Sequence, residues 1–347
     1  MPLDKVRVST DRAEFKGSLT ALEVSSLASD SDLKVLQTTG PTDSETWDLL
    51  NHGLFTARPD VELRVYSVEC DLSFLRRMPN VRRFSADCLL RARGVEYLAS
   101  LENLEKLSVG IYNLETFDFL AELPHRRLQE LSLGATKSKK PSLRPLANFD
   151  QLRTVYLEGQ QKDIEVLATL PKIEDLTLRS ISVAGLDFVT GLKHLWSLDI
   201  KLGGVHDLSA LRDMGQIKYL ELWQVRDLAD ISVVSTLHGL QYLFLQSLSQ
   251  VSRIPDLSKL KNLRRVYLEN MKGLRDLTPL TKAPALEEFM HVSALGMDPA
   301  KYAAFLASST LKRMSVGFGS ARKNQALCDC AAKAGIAPYT NTPFSFR

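Results

Sequence analysis

Apolar residues return along this chain in the order apolar-x-x-apolar-x-apolar. The stretch Ile217–Glu269 shows it three times, as Ile217/Leu220/Leu222, Leu240/Leu243/Leu245 and Leu263/Val266/Leu268, with corresponding positions 23 residues apart. Within each motif the apolar places alternate with polar or aromatic ones, the period-two pattern of a strand with one buried face. The first apolar position of the motif falls at Val81, Leu104, Leu128, Leu152, Ile173, Leu195, Ile217, Leu240, Leu263, Leu286 and Leu311, at intervals of 21 to 25 residues. A period this short and this regular predicts a solenoid, in which one repeat leaves its apolar row bare and the next repeat covers it.

A second pattern lies between the strands: Asp163-Ile-Glu-Val-Leu, Asp207-Leu-Ser-Ala-Leu, Asp230-Ile-Ser-Val-Val and Asp276-Leu-Thr-Pro-Leu. Each Asp is placed to accept hydrogen bonds from the free N–H groups of a short helical turn, and the aliphatic residues after it turn to the core. The motif, as in Leu128-Gln-Glu-Leu131-Ser-Leu133 and Ile173-Glu-Asp-Leu176-Thr-Leu178, resembles the leucine-rich repeat family from about Leu33 to Val316. Repeat length and the Asp-led back segment look most like the short class of bacterial internalins and phosphatase-regulating subunits. The resemblance implies an α/β leucine-rich repeat solenoid, curved, with a parallel sheet on the concave face and short helices or 3-10 turns on the convex face. One departure stands out. The family carries Asn three residues after the last apolar strand position, and here those places hold Leu89, Tyr112, Thr136, Gln160, Ile181, Gly203, Val225, Leu248 and Met271. Backbone and water hydrogen bonds, or a different turn, must take over from the missing side-chain ladder.

Residues 1–60 read as an N-terminal cap and an irregular first unit, 61–292 as leucine-rich repeats, and 293–347 as a C-terminal cap with a last strand and a terminal helix. Leu19, Leu22 and Val24 fit a first strand or part of a cap, and Leu33–Thr38 fits a strand. Thr42 or Asp43 begins a helix running through Trp47 and Phe55, which Arg58-Pro59 ends. Val61–Val68 alternates like a strand. Leu311–Val316 is the expected last strand, followed by a helix from Asn324 to Ala334 with Gly335 at its end.

Composition adds exclusions. The chain has 347 residues, 44% hydrophobic and 24% charged, which is globular. A net charge of +3 is too small to imply nucleic acid or an anionic membrane as partner. Cys70, Cys88, Cys328 and Cys330 match no disulfide framework and no zinc spacing, and are read as reduced thiols. The opening residues 1–15 show no apolar leader core, and no run is long enough to span a membrane, so a cytoplasmic protein is expected. No GxSxG, HExxH, GxxxxGK[ST] or GxGxxG motif is present, and Gly317-Phe-Gly319 reads as a turn. The six histidines are scattered along the repeat. No catalytic residue, metal site or cofactor is assigned, and the chain is expected not to be an enzyme.

The informative positions are those between the apolar ones, which face the open sheet. Early repeats place small or polar residues there, such as Ser108, Gly110, Ser132 and Gly134, with Tyr156 standing apart. Later repeats place Tyr219, Glu221 and Trp223, then Tyr242, Phe244 and Gln246, then Arg265, Tyr267 and Glu269. Parallel strands lie ~4.8 Å apart, so these rings are expected to be contiguous. Exposed Trp and Tyr beside charges make an interaction hot spot. Aromatics also favour strands and shield one another across a ladder, which is the plainer alternative. The expected function is a non-enzymatic protein-binding scaffold (an adaptor, inhibitor or immunity-type protein) that uses Tyr156, Tyr219, Glu221, Trp223, Tyr242, Phe244, Gln246, Tyr267 and Glu269 to bind another protein. A carbohydrate or other small ligand on the same aromatic surface is the alternative. Nucleic acid, through Arg179, Lys201, Arg265 and the Lys137/Lys139/Lys140 loop, is disfavoured by the interleaved Asp175, Asp199, Glu221 and Glu269.

Overall fold

The computed structural model describes residues 9–347. The first eight residues, on which part of the leader reading rests, lie outside the described residues. The chain forms an N-terminal half ending at Lys172 and a C-terminal half, Ile173–Arg347.

In the N-terminal half seven strands pair in parallel in chain order: β1 (Arg12–Phe15), β2 (Val35–Thr38), β3 (Glu62–Asp71), β4 (Arg83–Arg93), β5 (Lys106–Val109), β6 (Glu130–Leu133) and β7 (Thr154–Glu158). The returns are helical. First come α1 (Ala21–Ser29) and α2 (Ser44–Leu49), the latter continuing as a π-helical turn to Phe55. Short 3-10 turns then follow, from Ser73–Arg77 to Ile164–Thr169. The segment around Leu22 and Val24 is therefore a helix and not a strand. Thr20 and Glu23 form a capping box, with the Thr20 N–H donating to Glu23 Oε2 at 2.8 Å and the Glu23 N–H donating back to Thr20 Oγ1. Val24 and Leu27, three apart, are the buried side of that helix, and Leu22 is exposed. At α2 the cap is Asp43, whose Oδ1 accepts the Thr46 N–H at 2.7 Å.

Cys70 on β3 and Cys88 on β4 are joined in a disulfide, with Cα atoms 6.0 Å apart. The expectation of four reduced thiols fails for this pair and holds for Cys328 and Cys330, which are free and exposed. The physical reason is register. β3 carries an irregularity between Ser67 and Glu69, beside the Ser67–Cys88 pairing, and this sets the neighbourhood of Cys70. A sequence separation of 18 residues does not disclose that proximity.

The C-terminal half repeats the plan with β8 (Asp175–Arg179), β9 (Ser182–Val183), β10 (Ser197–Lys201), β11 (Gly204–Val205), β12 (Tyr219–Trp223), β13 (Tyr242–Gln246), β14 (Arg265–Glu269), β15 (Glu288–Val292) and β16 (Arg313–Val316). β8, β10 and β12 to β16 build one parallel sheet in chain order, while β9 and β11 form a separate two-stranded pair. The returns are 3-10 turns at Asp187–Val189, Ser209–Leu211 and Ser232–Thr236, then α3 (Thr278–Thr281) and a 3-10 turn at Pro299–Tyr302 leading into α4 (Ala303–Leu306). Terminal helix α5 (Ala321–Lys333), capped by Ser320, begins three residues before the expected start at Asn324, and Gly335 follows it with φ +77° in the left-handed region. Each half is thus a run of leucine-rich repeats, with a parallel sheet on one side and short helical returns on the other.

The motif register is the observed one. Leu220, Leu222, Leu243, Leu245, Val266 and Leu268 have no exposed surface, and the residues between them point the other way. The capping aspartates also act as expected at three of four places: Asp207, Asp230 and Asp276 accept the N–H groups of Ser209, Ser232 and Thr278 at 2.7, 2.7 and 2.9 Å. Asp71 and Asp256 do the same for Ser73 and Ser258. Asp163 departs. It sits at φ +60°, makes no cap bond, and its carboxylate takes the Ser142 hydroxyl and the Arg144 guanidinium instead.

The missing Asn ladder has a backbone substitute. Ser180, Leu202, Gln224, Ser247 and Asn270, each just past a strand, are left-handed with φ between +49° and +56°. Their N–H groups donate to the last carbonyl of the following strand, from Lys201, Trp223, Gln246, Glu269 and Val292 in turn, at 2.8–3.0 Å. Such a conformation costs about 1–3 kcal/mol in a non-glycine residue. That cost is offset by the inter-repeat hydrogen bond and by the next side chain, since Ile181, Val225, Leu248 and Met271 are all buried where the family has Asn. At Gly203 a Cβ would lie 2.0 Å from the Ile181 carbonyl oxygen, so only glycine fits. In the N-terminal half Gln160 does the polar work with its side chain, accepting the Glu158 N–H at 3.0 Å and donating to the Gly134 carbonyl at 2.8 Å.

Two outcomes test this arrangement. Leu243→Asp removes ~1.5–3 kcal/mol of burial and places a charge in the core, so the C-terminal repeats are expected to melt together at lower temperature. A far-UV circular dichroism melt like that of the wild type rejects the register. Replacing Cys70 and Cys88 with Ser opens an 18-residue loop and is expected to lower stability by about 3 kcal/mol, read by urea titration.

Candidate functional site

The nine residues singled out from the sequence each lie on the open face of the sheet within their own half, at positions alternating with the core. Tyr156 belongs to the N-terminal half, where its hydroxyl donates to Glu158 Oε2 at 3.0 Å. The other eight lie on β12, β13 and β14, in register: Tyr219 beside Tyr242, Glu221 beside Phe244 beside Tyr267, and Trp223 beside Gln246 beside Glu269. The rings do not form one bare patch. Tyr219 meets Tyr242 edge-on at 5.1 Å, and Phe244 stacks on Tyr267 at 4.7 Å with 14° between planes. Trp223 turns toward the Arg179 guanidinium at 5.9 Å and the Lys201 ammonium at 5.8 Å. Tyr219 donates its hydroxyl to Glu221, and Tyr267 donates to Glu269 at 3.4 Å. All five rings are half-buried, where the sequence led to the expectation of exposed Trp and Tyr side chains. Cross-strand pairing shields ring faces, and a further cover meets Tyr219, Tyr242 and Tyr267.

That cover is the segment 338–347, which carries no helix or strand. Phe346 packs edge-on against Trp196 at 5.1 Å and Tyr219 at 6.1 Å; Phe344 lies 5.3 Å from Tyr242 and 4.8 Å from Phe346; Tyr339 lies 6.5 Å from Tyr267. Polar side chains of the sheet hold its backbone. Gln241 Nε2 donates to the Arg347 carbonyl at 2.7 Å and its Oε1 accepts the Arg347 N–H at 2.9 Å. Arg265 donates to the Thr342 carbonyl at 3.2 Å, Arg264 donates to the Ser345 carbonyl, and Ser315 Oγ accepts the Tyr339 N–H at 3.0 Å. Trp196, Gln241, Arg264 and the covering segment itself escaped sequence reasoning. The available signal was Phe344-Ser-Phe346, two rings on one side of an extended chain.

Arg265 is the centre of this contact. It is 4% exposed, its guanidinium pairs with Glu288, and Glu288 also holds Arg313 at 2.8 Å. The rings of Tyr242, Tyr339 and Phe344 lie 5.3, 5.3 and 4.9 Å from it. Arg265 is therefore already engaged and not available to a phosphate, in keeping with a nucleic-acid role being disfavoured. Lys201 is engaged in the same way, 2.6 Å from Asp199 and 3.2 Å from Glu221.

Beside Trp223 two carboxylates, Asp199 and Glu221, share the ammonium of Lys201, and Asp175 on the neighbouring strand adds its charge to theirs. Asp199 is 8% exposed, and its Oδ1 and the Trp223 Nε1 have no hydrogen-bond partner in the protein. Burial, then the charge of Glu221, push the Asp199 carboxyl up to about 7, against the pull of Lys201. Burial raises Asp175 and Tyr219 as well, and pushes Tyr242 up to about 12. Among the described residues no group of three or more His, Cys, Asp or Glu side chains is arranged to hold a metal ion, and no helix is long and apolar enough to cross a membrane.

Strand order, motif register and helical returns define a leucine-rich repeat solenoid. The sequence matches no family model and no curated protein. Among solved structures the chain is similar to an internalin, inlF, of Listeria monocytogenes strain 4b F2365, with a TM-score of 0.61 and 20% identity over 85% of this chain and 88% of that one. Internalin C2 of the same strain aligns with 56% of this chain and 84% of its own at 24% identity and a TM-score of 0.47. A leucine-rich repeat protein of Leptospira interrogans aligns with 90% of this chain and 91% of its own at 14% identity and a TM-score of 0.49. The first likeness shows the fold.

The carboxyl of Asp199 predicts a pH dependence. It keeps its proton to about pH 7 when folded and loses it near 3.8 when unfolded. The folded state binds the extra proton between those values, so this group's contribution to stability falls as pH rises from about 4 to 7. His291, buried against the Tyr302 hydroxyl, works in the opposite sense. Burial lowers it from 6.5 to about 4, so its contribution rises with pH over that window. Asp199→Asn removes only the falling part. The stability of the variant relative to wild type is expected to increase from pH 4 to 7 and level off above, measured by urea titration at each pH; a pH-independent difference refutes the assignment.

Proposed function

We propose that this chain is a non-enzymatic protein-binding scaffold of the adaptor, inhibitor or immunity type, and that the open face of β12, β13 and β14 is its docking surface. The observation that carries the reading is the seated segment 338–347: this face holds a polypeptide segment without helix or strand through ring contacts and through hydrogen bonds to its backbone. Aromatic anchors ringed by charged groups on a rigid sheet are the composition of a protein interface. Parallel repeats hold those anchors at fixed spacing on the sheet, which lowers the ordering cost of binding.

The carbohydrate alternative fits less well. A sugar platform needs an open ring face, and here Phe244 and Tyr267 present theirs to each other while Tyr219 and Tyr242 meet edge-on. The carboxylates that would hydrogen-bond hydroxyls, Glu221 and Glu269, already accept from Tyr219 and Tyr267.

Affinity capture from the source cells with wild type and with Tyr219, Trp223, Tyr242 and Phe244 changed together to Ser is the test. Proteins held by the wild type are expected to be lost by the variant, with the variant's fold confirmed by circular dichroism. Retention of every captured protein removes this face as the docking surface.

A further inference from the structure

After α5 the chain is fastened at Ile336, which is 3% exposed, and at Ala337, which bridges to Arg313. From Pro338 onward it belongs to no helix or strand, and the side chains of Asn341, Thr342, Pro343, Ser345 and Arg347 are exposed. Such a segment does not bury enough apolar surface of its own to define a path. Its path is set by the sheet it lies on.

The sheet reads two things in it. The first is a pair of rings. Phe344 and Phe346 are two residues apart and both rings reach the sheet, where one meets Tyr242 and the other meets Trp196 and Tyr219. The second is the main chain. Arg265, Arg264 and Gln241 donate to the carbonyls of Thr342, Ser345 and Arg347, and Gln241 also accepts the Arg347 N–H. Those hydrogen bonds ask nothing of the side chains at 342, 345 and 347. Recognition by ring pockets plus main-chain donors is how a receptor reads an extended peptide.

We propose that the face bounded by Trp196, Tyr219, Tyr242 and Arg265 is a receptor for an extended polypeptide carrying two aromatic side chains two residues apart, and that residues 338–347 are its intramolecular occupant, displaced by a partner segment of the same kind. This rests on the docking reading above and names the partner chemistry. A tethered occupant competes at an effective concentration on the order of millimolar. A free peptide therefore meets a mostly occupied site, and its apparent affinity is reduced by the fraction of molecules whose face is open.

The probe is a fluorescein-labelled peptide of residues 339–347, followed by anisotropy. It is expected to bind full-length Phe344→Ser/Phe346→Ser at least tenfold more tightly than wild type. The same peptide with both phenylalanines replaced by Ser is expected to lose at least tenfold, as is the labelled peptide against the variant that also carries Tyr242→Ala. Should the double variant fail to fold, the unaltered chain answers: excess peptide is expected to speed hydrogen exchange at the chain's own Tyr339 and Arg347 amides. Equal binding of the peptide without its rings overturns the proposal, as does no binding with unchanged exchange. A wild-type dimer by light scattering that the double variant lacks assigns the occupant to a second copy, and overturns the intramolecular assignment. If the peptide fails while the four-residue substitution still abolishes partner capture, this inference falls and the docking reading stands.

Discussion

Each repeat covers the apolar row of its neighbour, and this works only if the strands pair without a shift. Leu220, Leu243 and Val266 are fully buried because β12, β13 and β14 lie in register at a spacing of 23 residues. A slip of one residue would exchange the two faces of a strand. The constraint that builds the core therefore also builds the open face. It lines up Tyr219, Tyr242, Arg265 and Glu288 in one row, and Glu221, Phe244, Tyr267 and Met290 in the next. No separate device positions the candidate site; the leucines do.

The first of those rows shows what the register makes possible. It runs aromatic, cation, anion and then cation, since Arg313 follows Glu288. Burying an arginine is unfavourable unless its charge is paired and its donors are used. Arg265 meets both conditions with partners two directions apart, Glu288 on the neighbouring strand and the Thr342 carbonyl in the covering segment. The rings of Tyr242, Tyr339 and Phe344 then surround the guanidinium, where a cation–π contact is worth more than in water. The segment 338–347 is thus tied to the sheet by a residue that itself needs a cover.

What the sequence discloses follows the reach of local periodicity. Strand register, core positions and the open-face residues were legible because alternation and the 23-residue period are written in consecutive side chains. The caps at Asp207, Asp230 and Asp276 were legible because donor and acceptor are two residues apart. Asp163 was not, since its partner Ser142 comes from 21 residues earlier. The lack of an Asn ladder was visible, but its remedy was not, because Leu202 and Gln224 give no glycine signal for a left-handed backbone. The disulfide depended on an irregular pairing between β3 and β4. The cover over the aromatic face has no period at all: Gln241 and Arg347, which hold each other, are 106 residues apart.

The rows of the open face offer different chemistry. Tyr219 and Tyr242, at the start of their strands, meet rings of the covering segment. Trp223 ends its strand four residues on, where its ring meets the Arg179 and Lys201 cations, and Lys201 in turn is held by Asp199 and Glu221. One end of the face meets aromatic side chains and backbone carbonyls, while at the other the cation of Lys201 is already paired with neighbouring carboxylates. The in-register pairing of the strands fixes the spacing between these two ends as firmly as it fixes the core.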